Sequence, residues 1–335
     1  MSEEIFGNEF NTITSIVDAN QWFLVTGHVD PDGDCIGSML AVARFLAGRG
    51  KQVHCFVSGE IPEAYTRLPG FELFVPAEML PALTFEVIVA LDSPTTARAE
   101  VIAGQGGRRQ IVNIDHHPTN TRYGTVNVVD EHTAAAAVLV YRYLAWEAPD
   151  AITPEIADAL YLGILMDTGG FRFQNTNVEA LETAARLVER GAHPYELARE
   201  HIYMNSIVTL KLLAMVLASL EVHGGGKIAV LSVTGEMLRE AGASFKDTEG
   251  FVDYAASIDD VELSALLREI GPREIRVSLR SRNSFDVASL AEKFDGGGHR
   301  KAAGLTVRRS LEEAKAIIIG GLRQLLAGEE NSPDP

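Results

Sequence analysis

The chain has 335 residues, 46% of them hydrophobic, enough for two domains that each bury a core of their own. A formal net charge of −17 excludes a general polyanion-binding surface unless positive charge is gathered in one place. Only Cys35 and Cys55 are present and no uncharged apolar run reaches the ~18 residues of a membrane span, so neither a disulfide framework nor a membrane protein is expected.

The start, MSEEIFGNEFNTI, lacks the basic-then-apolar pattern of a secretory signal, and a cytoplasmic location with reduced thiols is expected. Apolar runs then alternate with helical patterns, as in a parallel sheet flanked by helices. Strands are predicted at 23–27, 52–57, 86–91 and 110–114, with a helix in IGSMLAVARFLAGRG between the first two. Beyond residue 132 the pattern is helical: 133–146, 153–167 opening Thr-Pro, and 178–191. This gives a catalytic domain over 1–190 and a helical linker over 191–222. A smaller α/β substrate-binding domain is expected over 223–328. It opens with a hairpin in EVHGGGKIAVLSV, continues through helical TGEMLREAG and VELSALLREIG, and then has strand 274–281, helix DVASLAEKF, strand KAAGLTVR and a last helix. Residues 329–335 read as a disordered tail.

Ligand sites in open α/β sheets lie beyond the carboxyl ends of the strands, so the residues following each apolar run are the informative ones. After FLVTG come His28, Asp30, Asp32 and Asp34; after EVIVAL comes Asp92; after QIVNI come Asp115, His116 and His117. Asp167 closes the helical run ALYLGILM. An acid after a strand is commonly a turn residue or a helix cap. Several gathered at one edge repel one another unless a cation intervenes. Oxygen and imidazole donors without thiolate suit manganese, magnesium, iron or zinc, and the mixture of Asp with His favours manganese, with magnesium as the alternative. An EF-hand is excluded, because the twelfth loop position is Met39 or Ala41 rather than Glu. Cys35, beside this loop, reads as a small packed residue.

The segments GHVDPDGDCIGS, ALDSP, NIDHHPTN and GILMDTGGF resemble the four motifs of the DHH phosphoesterase superfamily. SLRSR (278–282) and GGGHRKAAG (296–304) resemble the DHH-associated domain of its branch of nanoRNases, pAp phosphatases and RecJ-like exonucleases. The resemblance implies two divalent ions, one on His28 and Asp32, the other on Asp34, His116 and Asp167, with Asp92 bridging them. It implies that Asp115 orients an imidazole and that His117 faces the substrate. Arg280, Ser281, Gly296, Gly297, Gly298 and His299 would hold substrate phosphate, in a cleft between the domains.

Between 268 and 309 ten Lys/Arg face five Asp/Glu, so the positive charge is indeed local. One short basic segment on an acidic chain with 7% aromatics suits short substrates better than long single strands or duplex. The expectation is hydrolysis of short oligoribonucleotides or of 3'-phosphoadenosine 5'-phosphate (pAp), by a protein for which a homodimer is compatible. The alternatives are a linear or cyclic dinucleotide phosphodiesterase, a manganese-dependent inorganic pyrophosphatase, or an inactive nucleotide-binding regulator.

Overall fold

The computed structural model describes residues 6–103, 109–283 and 285–330, which form two compact units, 1–204 and 205–335. Unit 1 runs α1 (Gly7–Ala19), β1 (Trp22–Thr26), α2 (Gly33–Gly48), β2 (Gln52–Phe56), three short 3-10 turns, β3 (Val87–Leu91), α3 (Glu100–Ala103), β4 (Gln110–Asp115) and β5 (Val126–Val129). It closes with α4 (Ala136–Glu147), α5 (Pro154–Asp167), α6 (Val178–Glu189), α7 (Pro194–Ala198) and a π-helical turn at Arg199–Tyr203.

Its five strands are all parallel, in the order β2-β1-β3-β4-β5. The strands are short and apolar because both faces are covered. Phe23, Val25, Val87, Val89, Val112 and Ile114 enter the core on one face, and Leu24, Ile88 and Ala90 enter a second core on the other. The order reverses between β1 and β3, and this switch point is where a ligand crevice is expected. Helix α2 lies against α5 at very short range. A Cβ on Gly37 would sit 2.3 Å from the Ala159 carbonyl oxygen, and one on Gly163 would sit 2.7 Å from both Ala137 Cβ and Asp34 Oδ1.

Unit 2 begins with α8 (Ile207–Ala218), then β6 (Glu221–His223), β7 (Ile228–Val233), α9 (Gly235–Ala241), α10 (Phe251–Ala256), β8 (Leu263–Gly271) and β9 (Glu274–Ser281). It ends with α11 (Val287–Glu292), β10 (Gly297–His299), β11 (Ala302–Val307) and α12 (Leu311–Glu330). The sheet order is β10-β11-β9-β8-β7-β6, with only the β7–β8 pair parallel.

One sequence expectation is corrected here. VELSALLREIG forms β8, not a helix, and it is a central strand with Leu263, Ala265 and Leu267 in one core and Leu266 in the other. Burial on both faces removes the polar alternation that would have marked it as a strand. The segment 191–222 falls on both sides of the division at 204/205, with α7 in unit 1 and α8 in the core of unit 2. Of the expected tail, 331–335 lie outside the described residues. No single helix among the described residues is long and apolar enough to cross a membrane.

Gly37→Val forces the α2–α5 crossing apart at a backbone oxygen and is expected to destabilise the protein by about 1–3 kcal/mol. A urea midpoint equal to that of the wild type would contradict so close a crossing.

Candidate metal centre

The loop after β1 turns at Gly27, where a Cβ would lie 2.1 Å from Cys35 Sγ, and delivers His28 into the protein at 5% exposure. The Nδ1–H of His28 donates to the Val29 carbonyl at 2.9 Å, which leaves Nε2 free to act as a ligand. Asp32 is the N-cap of α2, its Oδ1 accepting from the amides of Asp34 and Cys35, and the same oxygen lies 3.8 Å from His28 Nε2. Asp34, in the first turn of α2, is fully buried. Its carboxylate accepts from the Ala136 amide (2.6 Å) and the Ala137 amide (2.9 Å), the open donors of the first turn of α4.

Asp92 follows β3 in a left-handed backbone conformation, φ 49°, a strained state for a non-glycine residue. That turn sets its two oxygens towards different imidazoles. Oδ2 is 3.4 Å from His28 Nε2 and Oδ1 is 3.5 Å from His116 Nε2, so the carboxylate spans the switch point. His116, after β4, donates from Nδ1 to the Thr133 carbonyl, and its Nε2 also lies 3.5 Å from Asp167 Oδ2 and 3.9 Å from Asp34 Oδ2. Asp167 is the last residue of α5, where the helix dipole disfavours an anion.

Two ligands each about 2.1 Å from one ion lie about 3.0–3.4 Å apart at octahedral to tetrahedral angles. The 3.4–3.9 Å separations between imidazole and carboxylate run from the upper end of this range to slightly beyond it. The charges point the same way. Burial, reinforced by Asp92 and Asp167, pushes the Asp34 pKa well above the carboxylate range, with His116 opposing. Burial likewise raises Asp167 to about 7, with His116 opposing and Asp92 adding. Burial works against charging His28 and His116, yet their carboxylate neighbours raise each to about 10. Asp92 is held below its ordinary range despite burial, by His116 and His28. Asp92 Oδ1 is buried without a hydrogen-bond partner. The donor set therefore fits divalent cations, with the ligand groups Asp34–His116–Asp167 and Asp92–His116–His117 each converging within 4.8 Å.

Asp115 accepts from His117 Nδ1 at 2.8 Å through Oδ1 and from the Asn120 amide through Oδ2. It thereby fixes the ring so that Nε2 points away from it. Asn120, which also donates to Asn113, was quoted in the sequence motif without a role; Thr133 and the Ala136 and Ala137 amides had no sequence signal at all. Arg98, from the loop after β3, lies 3.2 Å from His28 Nδ1 and was also missed. Asp30 faces Gly59 as a turn acid. Cys35 Sγ falls within 4.8 Å of His28 and Asp92 ligand atoms, but burial and Asp92 raise its pKa well above the usual thiol range, and a protonated thiol is a weak donor.

In unit 2 the structure brings some of the expected residues together. Arg280 on β9 and His299 on β10 lie in one row of the sheet, separated by Ala302 of β11. Arg280 Nε is engaged by Asp253 of α10 at 3.1 Å. Ser281, expected beside Arg280, is corrected: strand alternation sends it to the opposite face, and its Oγ is buried without a partner. Gly296 and Gly298 are explained by packing, since a Cβ on either would lie 2.4 Å from a β11 carbonyl oxygen. Gly297 alone faces open space.

A parallel sheet whose strand ends gather buried carboxylates and imidazoles at its switch point, followed by a mixed-sheet unit, defines an α/β protein with a candidate carboxylate–imidazole metal site. The chain belongs to the DHH family: the model of the DHH family, N-terminal domain, matches residues 22–164, and that of the DHHA1 domain matches 211–323. It is 36% identical to the bifunctional oligoribonuclease and PAP phosphatase NrnA of Thermus thermophilus, over 90% of this chain and 89% of that one. An exopolyphosphatase-related protein from Bacteroides fragilis matches with a TM-score of 0.89 at 26% identity, over 95% of this chain and 96% of that one. Exonuclease RecJ bound to manganese shares the fold, with a TM-score of 0.52 at 16% identity over 98% and 96% of the two chains.

Manganese is expected to raise the melting temperature of the chelated protein by several degrees, since an ion at 100 times its Kd adds about 2.7 kcal/mol. Asp92→Asn, which tolerates the left-handed backbone, should fold but lose most of that increase. An equal increase in the variant would remove Asp92 from the site.

Proposed function

We propose that the chain is a two-metal phosphoesterase that hydrolyses short oligoribonucleotides and pAp. The observation that carries this reading is the Asp92 carboxylate set between His28 and His116, 3.4 and 3.5 Å from them. The Thermus relative, whose printed name gives both activities, aligns over nine-tenths of this chain.

His28 and Asp32 would hold one ion, Asp34, His116 and Asp167 the other, and Asp92 both. Manganese is the ion we favour, with magnesium as the alternative. Bound there, such ions activate water near neutral pH and neutralise the phosphoryl oxygens. The protein's own residues do the rest. Asp115 fixes His117 through Nδ1, so Nε2 is the ring atom left to contact the phosphate or, in the doubly protonated ring, to give a proton to the leaving oxygen. Asn120 holds Asp115 in turn. Arg280, Gly297 and His299 of unit 2 would hold substrate phosphate. Both cysteines are buried and free, which supports a reducing, cytoplasmic setting.

The test is a panel of di-adenylate, pAp and pyrophosphate with purified protein and manganese, resolved by chromatography. Turnover of the first two is expected, and phosphate release from pyrophosphate alone would defeat the reading. His117→Ala should lower kcat about 10²–10⁴-fold while the manganese-dependent melting shift persists. Unchanged turnover would remove His117 from the reaction.

A further inference from the structure

The face of the unit 2 sheet that carries Arg280 has a second basic row. Ile275, Val277 and Leu279 of β9 and Ala303, Leu305 and Val307 of β11 enter one core, so Arg276, Ser278, Arg280, Ala302, Gly304 and Thr306 take the other face. Three successive rows cross that face. The first joins Arg280, Ala302 and His299; the second joins Ser278, Gly304 and Gly297; the third joins Arg268, Arg276 and Thr306. The middle row has almost no side chain. Gly297 and Gly304 are exposed, and nothing lies within 4 Å of a Cβ placed on Gly297. The result is a trough floored by backbone, with basic walls four residues apart along β9, about 13 Å.

The Arg268–Arg276 wall is built against electrostatic preference. Arg268 and Arg276 are directly opposite on antiparallel strands, where like charges destabilise. Both guanidiniums lie over the Phe245 ring, at 4.7 and 6.0 Å. Arg268 donates to Thr248 and Ser278, and its Nε is buried without a partner. Among the described residues neither arginine has a carboxylate within ion-pair distance, although the chain carries 46 acids. Glu249 acts on Arg268 only at longer range, and Asp253 is committed to Arg280. Tying the turn that carries Phe245 and Thr248 to the sheet accounts for Arg268. It does not account for placing Arg276 opposite.

We propose that Arg276, backed by Arg268, is a second anion seat that takes a phosphodiester of an oligoribonucleotide beyond the one held at Arg280 and His299. This deepens and rests on the proposed function. Guanidinium groups match phosphate oxygens in pairs, and an anion between the two arginines relieves their repulsion. A single nucleotide does not span the two walls, so the seat favours substrates longer than a dinucleotide and leaves pAp to the Arg280–His299 row.

The test compares 5'-phosphorylated di-adenylate and tetra-adenylate as substrates of the full chain with manganese. In Arg276→Ala the ratio of kcat/KM for the tetranucleotide to that for the dinucleotide should fall about tenfold, the loss of one charge-assisted contact. The salt dependence of log kcat/KM for the tetranucleotide should become shallower by about 0.7, and Arg276→Lys should restore that slope. A packing defect would lower both substrates equally and leave the slope alone. An unchanged ratio, or equal losses on both substrates, overturns the second seat. A wild type that hydrolyses neither substrate overturns the proposed function and this inference with it.

Discussion

Four aspartates, Asp32, Asp34, Asp92 and Asp167, converge on one point of unit 1, and two of them, Asp34 and Asp92, are almost wholly buried. Much of the local architecture answers that repulsion. Asp34 is met by the open amides of α4, Asp32 by those of α2, and Asp92 by His28 near Oδ2 and by His116 and His117 near Oδ1, without a hydrogen bond closed on Oδ1. None of these devices discharges the cluster. Asp34 and Asp167 are still pushed upward, Asp92 Oδ1 still has no donor, and Asp167 still sits at the unfavourable end of α5. A site whose own donors leave it this acidic is arranged for cations that come from outside the chain.

The same requirement explains the small residues around it. For Asp34 to reach the start of α4, helices α2, α4 and α5 must approach within the reach of a methyl group, which is why Gly37 and Gly163 meet Ala159 and Ala137. The alanines of TAAAA belong to this contact as much as to helix propensity, since a larger side chain at Ala137 would close the space that Gly163 opens. Strain is placed here too. The left-handed backbone at Asp92 is a conformation that costs about 1–3 kcal/mol, and it turns the carboxylate so that it can span the switch point. Packing and strain both serve the position of a few oxygens.

This distribution sets what the sequence could reveal. Side chains that follow strands are legible as candidates, because a parallel sheet buried on both faces turns each apolar run into a pointer towards one edge, as at His28, Asp92 and His116; Asp34 in the first turn of α2 and Asp167 at the end of α5 reach the same point from helices. Donors supplied by the backbone were not legible, because the Ala136 and Ala137 amides and the Thr133 carbonyl have no residue signature. β8 was misread as helical for the reason that makes it central. With Leu263, Leu266 and Leu267 all inward, its apolar residues recur at spacings that a helix also satisfies. Ser281 was misassigned because a motif places neighbours together in sequence, whereas a strand sends them to opposite faces.

That period of two also divides the labour within unit 2. Odd positions of β9 build the core and even positions build the proposed ligand surface, so Arg276, Ser278 and Arg280 can differ in chemistry without disturbing Ile275, Val277 and Leu279. The residues needed to pack the hairpin, Gly296 and Gly298, are separate from Gly297, which is exposed on the trough. Stability and recognition are therefore assigned to alternate residues of the same short segments. In unit 1 they cannot be separated, because the carboxylates that would hold the ions are also caps and buried contacts. The candidate metal ligands are tied to the fold of the first unit, while the proposed phosphate seats lie on alternate residues of one sheet face in the second.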